Sequence, residues 1–557
     1  MKRNHFLLAF ICLFLVDFLF AQNLEQMKNQ KPFSIDGSVS ATSNFYSISG
    51  KESTRDPFSY VLSGNVNASV YSLQLPFSFT YSNNSFNYAQ PFNRFGISPE
   101  YKWIRLHLGY RNMSFSPFTL AGHSFLGAGL ELNPGIFRFG AVYGRFSQKT
   151  IPNTVNPLDT LQSPSRKGYS VKIGIGSQKN FADLIFLQIK DDTLSVDTAL
   201  YRSKTAQANA VFGTHMKFTL FKKVTWETEA AVSLLTKDLS NAQPFETGNA
   251  TLQNMIGAFN VNSSSEYSTA ILTSLNYTAQ KYSVGLQYRR IDPNYQSFGA
   301  YYFNTDIENI TINTKFRLLK DKVSVSGNIG LQNDNLRGNK ASQSSRVISM
   351  ANVGYNSGKA FSVSGSFSNY SINQQAGRLP LNDTIKLYQS NRNISLTPIL
   401  SFSNPKHQQM VQLNLSLMDL IDHNEFTASN TEVNSRMALL NYFLSDVKSG
   451  ISVNGGINYT SMSSVYSSQV IFGINADAGK SFLKGKLNGH AGISVSRSDL
   501  NENLGWVNTA TASVTYKPHP KHLLKLNLSH MQNRYPSTST VKSFNETKAL
   551  LSYAYKF

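Results

Sequence analysis

The sequence predicts an all-β chain, a single large antiparallel transmembrane β-barrel of about 24–26 strands with short periplasmic turns and long extracellular loops. Three observations predict it. Apolar residues recur with period two over segments of roughly 9 to 13 residues, the length a tilted strand needs to cross a bilayer. Tight turns alternate with long polar loops, as a membrane barrel requires and a soluble sandwich does not. Charged residues are 15% of the chain and aromatics 12%, with 38 Phe and 27 Tyr against 3 Trp. Soluble domains carry about 25% charged residues. Few charges, many aromatics and many small polar residues suit a wall with lipid outside and water inside. The mean hydropathy of −0.25 and the lack of a roughly 20-residue apolar run beyond the N terminus exclude a helical membrane protein. A globular chain of 557 residues would suggest several domains. Here the texture is uniform after the first thirty or so residues, so one barrel is expected over 33–557.

The first element is an export signal over 1–21. Lys2 and Arg3 precede the apolar run Phe6 to Phe20, and Ala21-Gln22 is the expected cleavage junction. The run is too short for a transmembrane helix, and Asp17 within it would be costly in lipid. The only cysteine, Cys12, lies inside this signal. No disulfide or thiolate metal site is therefore expected in the mature chain. A short periplasmic segment, 22–32, leads to a first strand near Phe33 or Ile35. So few residues before the first strand argue against an N-terminal plug and energy-coupled uptake, unless another chain supplies the plug.

Hairpins follow. Tyr169, Val171, Ile173 and Ile175 lead into the turn Ser177 to Asn180. Phe212, Met216, Phe218 and Leu220 form one apolar row, and Val224, Trp226, Ala230, Val232 and Leu234 the next, with Lys222-Lys223 turning between them. The same pattern recurs around Asn133 to Gly135, Lys320 to Lys322, Asn356 to Lys359, Asn404 to Lys406 and Lys480-Ser481. Opposite these turns lie the long loops Gln148 to Lys167, Asp191 to Ala206, Lys237 to Ser265, Asp292 to Asn309, Asn333 to Ser345, Asn373 to Arg392 and Asp419 to Glu432. The stretch Asn83 to Gly122 alternates poorly, so it either hides a strand or tucks into the lumen. A direct count gives about 25 strands, and an even number is needed if both ends face the periplasm. Aromatics at strand ends, such as Tyr101 and Trp103, Tyr277 and Tyr282, or Trp506 and Tyr516, suit the lipid–water interface.

The chain ends Ala549, Leu551, Tyr553, Tyr555, Phe557 on alternate positions. This ending resembles the C-terminal assembly signal of bacterial outer-membrane barrels, with Tyr553, Tyr555 and the terminal Phe557 in the signal positions. The resemblance implies insertion by the barrel-assembly machinery and residence in the cell outer membrane, among its lipid and lipopolysaccharide. With its Asn/Ser/Tyr-rich strands, the whole chain is similar to Bacteroidota-type outer-membrane β-barrel proteins of no assigned activity. Four loop sites, Asp159-Thr160-Leu161, Asp192-Thr193-Leu194, Asp197-Thr198-Ala199 and Asp383-Thr384-Ile385, resemble the O-glycosylation acceptor of such proteins. That resemblance makes Thr160, Thr193, Thr198 and Thr384 candidate sugar carriers. Asp and Thr are also ordinary loop residues.

No catalytic motif is present: no Gly-x-Ser-x-Gly elbow, no His-Glu-x-x-His and no phosphate-binding glycine loop. Catalytic, metal and cofactor sites are expected to be absent. The close pair His519 and His522 falls in a turn, and His107, His123, His423, His490 and His530 are scattered. The net charge of +20 fits Lys-rich turns, contact with lipopolysaccharide, or an anion-favouring lumen. No basic cluster or stacking motif points to nucleic acid. These features predict an outer-membrane channel or translocation barrel, its lumen blocked by loops or a partner. The alternative is a non-conducting barrel that docks a periplasmic or surface protein.

Overall fold

A computed structural model describes residues 32–557 apart from 54, 84–92, 151–162, 196–204, 245–258, 260, 302, 341, 377–386, 538 and 540. The strands are, in chain order, β1 (Phe33–Ser49), β2 (Phe58–Val70), β3 (Leu73–Ser82), β4 (Arg94–Ile97), β5 (Glu100–Tyr101), β6 (Ile104–Ser114), β7 (Ala121–Leu132), β8 (Phe137–Ser147) and β9 (Ser165–Gly176). They continue through β10 (Phe181–Asp192), β11 (Ala208–Leu220), β12 (Val224–Thr236), β13 (Ser265–Thr278), β14 (Tyr282–Ile291), β15 (Ile307–Leu318), β16 (Val323–Asn333), β17 (Ser342–Asn356) and β18 (Phe361–Ala376). The last are β19 (Tyr388–Ser403), β20 (His407–Asp422), β21 (Val433–Asp446), β22 (Ile451–Ser464), β23 (Ser468–Phe482), β24 (Leu487–Leu500), β25 (Asn503–Tyr516), β26 (His522–Arg534) and β27 (Phe544–Lys556).

Apart from β4 and β5, which do not pair with each other, strands consecutive in the chain pair antiparallel, and β27 returns to β1 with Ser38 opposite Lys556 and Ser49 opposite Asn545. Closure leaves no unpaired edge, which a lipid environment demands because nothing there can satisfy a free backbone N–H. The short β4 and β5 both lie between β3 and β6 and are two pieces of one strand broken at Ser98-Pro99. The wall is therefore a closed barrel of 26 antiparallel strands, the top of the expected range. The only α-helix among the described residues is a four-residue turn, Ala428–Thr431.

Pleating sends successive side chains to opposite faces. On β10, Leu184 is 70% exposed outward while Leu187 is fully buried inward. Ile173, Leu275, Leu286, Ile312, Ile329 and Ile474 continue the outer apolar surface, as the period-two rows anticipated. Tight turns join hairpins at one end. Phe221 and Lys222 both take positive φ, +50° and +62°, the backbone that matches the twist of two paired strands.

Four boundaries differ from expectation. β23 runs through Lys480-Ser481 and turns at Leu483–Gly485 instead. The loops expected at Asn373 to Arg392 and Asp419 to Glu432 are shorter, because cross-strand pairing extends to Ala376, Tyr388 and Asp422. Polar residues such as Ser390 and Asn391 read as loop, yet they continue the ladder above the apolar band. The Asp292 to Asn309 segment is not a polar outward loop. It is folded into the barrel, as described next.

Candidate functional site in the barrel lumen

Two connections fold inward. One is 115–120, the link from β6 to β7, and the other is 292–306, from β14 to β15. Phe115, Phe118 and Leu120 of the first and Tyr295 and Phe298 of the second are at most 6% exposed. They pack on inward-facing Met113, Phe125, Phe146, Leu187, Ile189 and Val211 of the wall. An aqueous lumen would leave these wall positions wet. Covering them with aromatic loop residues recovers the burial, worth about 1.5–3 kcal/mol for each large side chain.

Hydrogen bonds fix the two loops to each other. Tyr295 Oη donates to Phe118 O (2.5 Å) and Ser297 Oγ to Thr119 O (2.6 Å). The N–H of Ala121 donates to Gly299 O (3.0 Å). The wall holds them as well. Asn209 Nδ2 and Ser233 Oγ both donate to Gln296 O (3.2 and 2.6 Å), and Phe298 N–H donates to Asn209 Oδ1 (3.0 Å). Gly299 is needed here, since a Cβ would lie 2.4 Å from Leu187 Cδ1 and 2.8 Å from Thr119 O. Apolar contact and a satisfied polar network together make a fixed plug. Burial drives the Tyr295 hydroxyl far above its ordinary pKa, so it stays a donor.

Toward the loop end, a cavity of about 680 Å³ opens above the plug, lined by Arg166, Gln207, Gln296, Tyr301 and Phe303 among others. The Arg166 guanidinium sits 3.8 Å from the Phe298 ring centroid and its Nε bonds Asp191 (2.8 Å). Tyr301 stacks on His123 at 4.4 Å.

Toward the turn end, the same wall carries inward charges. His107 meets Glu131 (3.0 Å), and Arg138 holds the fully buried Asp183 through two bonds of 2.8 and 2.9 Å. His215 and Lys217 meet Glu227 (both 3.0 Å), and Ser116 of the plug donates to Glu229 (2.8 Å). Lys172 on β9, buried between Arg138 and Asp183, adds a second cation beside Arg138 and lies over the Phe115 ring.

The opposite arc is different. From β17 round to β2, the inward positions form hydroxyl and amide ladders. Ser366 meets Ser395 (2.6 Å), Asn454 meets Asp477 (2.9 Å), and Ser40 meets Ser63 (2.9 Å). A cavity of about 910 Å³ on this side is lined by Asn44, Asp477, His490, Thr511, Asn527 and Lys548 among others.

The residues singled out in the sequence fall as follows. Tyr553 stands opposite Ala41, Tyr555 opposite Val39, and Phe557 N–H donates to Gly37 O (3.2 Å), so the chain end forms the closing seam. Thr193 is exposed and opens a 3₁₀ turn. Ala21, Gln22, Thr160, Thr198 and Thr384 lie outside the described residues. The Asn83 to Gly122 stretch does both things anticipated of it. Among its described residues are three strands, β4 to β6, and then the plug turn 115–120. His107, His123, His490 and His530 sit on separate strands and His423 just after β20, while His519 and His522 share a turn. The inward set His215, Lys217, Glu227 and Glu229 was not anticipated, nor was the plug role of 292–306. Both left a signal: the face opposite an apolar row held four charges, and the loop held four spaced aromatics, Tyr295, Phe298, Tyr301 and Phe303.

No family model matches the chain, and no curated protein matches it. Among solved structures, the translocation pore of the P pilus usher aligns over 94% of this chain and 99% of its own, at 10% identity and TM-score 0.39. The FrpB iron transporter of Neisseria meningitidis aligns over 96% and 84%, at 10% identity and TM-score 0.38. The outer-membrane protein opdK of Pseudomonas aeruginosa aligns over 68% and 98%, at 12% identity and TM-score 0.31. All three are membrane barrels, and the likeness is distant.

Proposed function

We propose that this chain is an outer-membrane channel or translocation barrel, non-enzymatic, whose lumen is blocked along one arc by its own loops. The passage then follows the polar arc from β17 round to β2. One observation carries this reading: the division of the lumen into an apolar, hydrogen-bonded plug on one side and Ser/Asn/Thr ladders on the other. A barrel of this strand number encloses a wide lumen, and filling half of it narrows the hole without closing it. Export by the N-terminal signal, insertion through Tyr553, Tyr555 and Phe557, and contact with lipopolysaccharide belong to the same proposal.

Planar-bilayer recording of the purified protein tests it. Steps that persist in wild type and shrink when Asn454 and Thr511 are replaced by Trp are expected. Absence of conductance under every condition would sink the channel. If one stoichiometric partner then co-purified from crosslinked membranes, the docking barrel would take its place. Fractionation of native envelopes tests the location, and recovery with the inner membrane would contradict it.

A further inference from the structure

Among the described residues, one set of three metal-capable side chains converges: His215 on β11 with Glu227 and Glu229 on β12. His215 and Glu229 are direct cross-strand partners. Glu227 is two residues from Glu229, so the pleat turns both carboxylates to the lumen. His215 Nε2 lies 3.0 Å from Glu227 Oε1 and 3.7 Å from Glu229 Oε1. All three candidate ligand atoms fall within 4.8 Å of one another. A tetrahedral ion with bonds of about 2.1 Å has ligand-to-ligand edges of about 3.4 Å, between the two distances seen.

The state of Glu229 is the second observation. It is 7% exposed. Its Oε2 accepts from Ser116 Oγ (2.8 Å), but its Oε1 points at His215 from beyond hydrogen-bond reach. Lys217 Nζ is engaged with the far oxygen of Glu227, Oε2, at 3.0 Å. A carboxylate so withdrawn from water is stabilised by a positive partner, and Lys217 is engaged with Glu227.

We propose that His215 Nε2, Glu227 Oε1 and Glu229 Oε1 bind a divalent transition-metal ion of the zinc type in the lumenal wall. One imidazole nitrogen with two carboxylate oxygens suits zinc rather than magnesium or calcium, which take all-oxygen shells. A fourth position faces the lumen for water. The ion staples β11 to β12. Through Ser116, which orients the Glu229 carboxylate, it also ties the plug to the wall. The site does not depend on conduction and stands equally in a closed barrel.

The test uses full-length protein in detergent, stripped with a chelator and titrated with zinc chloride by calorimetry. A His519→Ala/His522→Ala background removes the other close histidine pair, whose rings lie 6.1 Å apart, so that it offers zinc no second site. One zinc per barrel is expected. His215→Ala and Glu229→Gln should each weaken binding at least tenfold and abolish the zinc-dependent rise in unfolding temperature. Lys217→Ala should bind at least as tightly as the parent. Heat-modifiable gel mobility reports whether each variant is folded, and if His215→Ala is not, Glu229→Gln decides. No binding near one equivalent, unchanged affinity in the folded variants, or magnesium binding as tightly as zinc would overturn the site.

Discussion

The arc from β6 to β15 and the arc from β17 round to β2 share one wall, one alternation and one outer apolar belt, yet they bury different things. Every member of the buried apolar cluster falls between Met113 and Ile307. On the other arc, inward positions such as Ser366, Ser395, Asn454 and Ser40 bond sideways to their neighbours, and no member of the buried apolar cluster among the described residues lies there. The first arc is a wall with a core on it, and the second is a wall whose described inward groups are polar and paired with one another. A barrel strand can therefore serve either purpose without changing its outer face. The choice is made by every second residue, together with the loop that does or does not fold over it.

The comparison can be broken experimentally. The largest effect is expected from replacing 293–305 with a short Gly-Ser linker. Single-channel conductance should rise several-fold, whereas shortening an exposed connection on the polar arc, such as 425–430, should leave it nearly unchanged. Equal effects would abolish the distinction between the arcs.

Next is the buried pair on the plugged arc. Asp183→Asn leaves Arg138 facing a neutral group in a dry site and should cost about 3–5 kcal/mol, read as a fall in unfolding temperature. An Asp183→Leu/Arg138→Met double variant should recover most of that loss. Phe118→Ala opens a cavity in the plug and should cost about 3–5 kcal/mol. Leu550→Ala, on the inward face of β27 and only half-buried, should cost roughly 1 kcal/mol. A Leu550 effect as large as that of Phe118 would place a second core where none is described.

The smallest effect concerns pH at the hinge of the plug loop. Burial raises the Asp292 carboxyl, but hydrogen bonds from Thr269 Oγ1 (2.5 Å) and N–H (2.9 Å) and from Arg290 outweigh it. Its pKa is held below the ordinary 3.8. A carboxyl lowered in the folded state stabilises fully above its unfolded value and loses that contribution as pH falls through the folded one. Amide exchange in 293–306 should therefore quicken on acidification below about pH 4, and Asp292→Asn should flatten that dependence. Exchange that is insensitive to acid would remove Asp292 from the hinge.

Much of this was legible along the chain. Strand rows such as Tyr169 to Ile175 and Phe212 to Leu220, the Lys-bearing turns and the start at Phe33 all rest on local alternation, which a β-strand displays directly in its residues. The plug was half legible: the poor alternation of Asn83 to Gly122 left two outcomes, a hidden strand or a tuck into the lumen. The 292–306 loop read as polar because Asp292, Asn294, Gln296 and Ser297 mask its aromatics. The Gln296 carbonyl and the Ser297 hydroxyl turn out to be spent on Asn209, Ser233 and Thr119, contacts 63 to 178 residues apart that no local pattern encodes.

By itself, then, the sequence determined the wall: strand length, the two faces, the alternation of turns and loops, and an aromatic end to close it. These follow from period-two chemistry and the thickness of a bilayer, both local rules. Only the tertiary structure decided which arc is filled and which loop fills it. Those facts depend on ring closure, which brings residues far apart in the chain to opposite sides of the same small space.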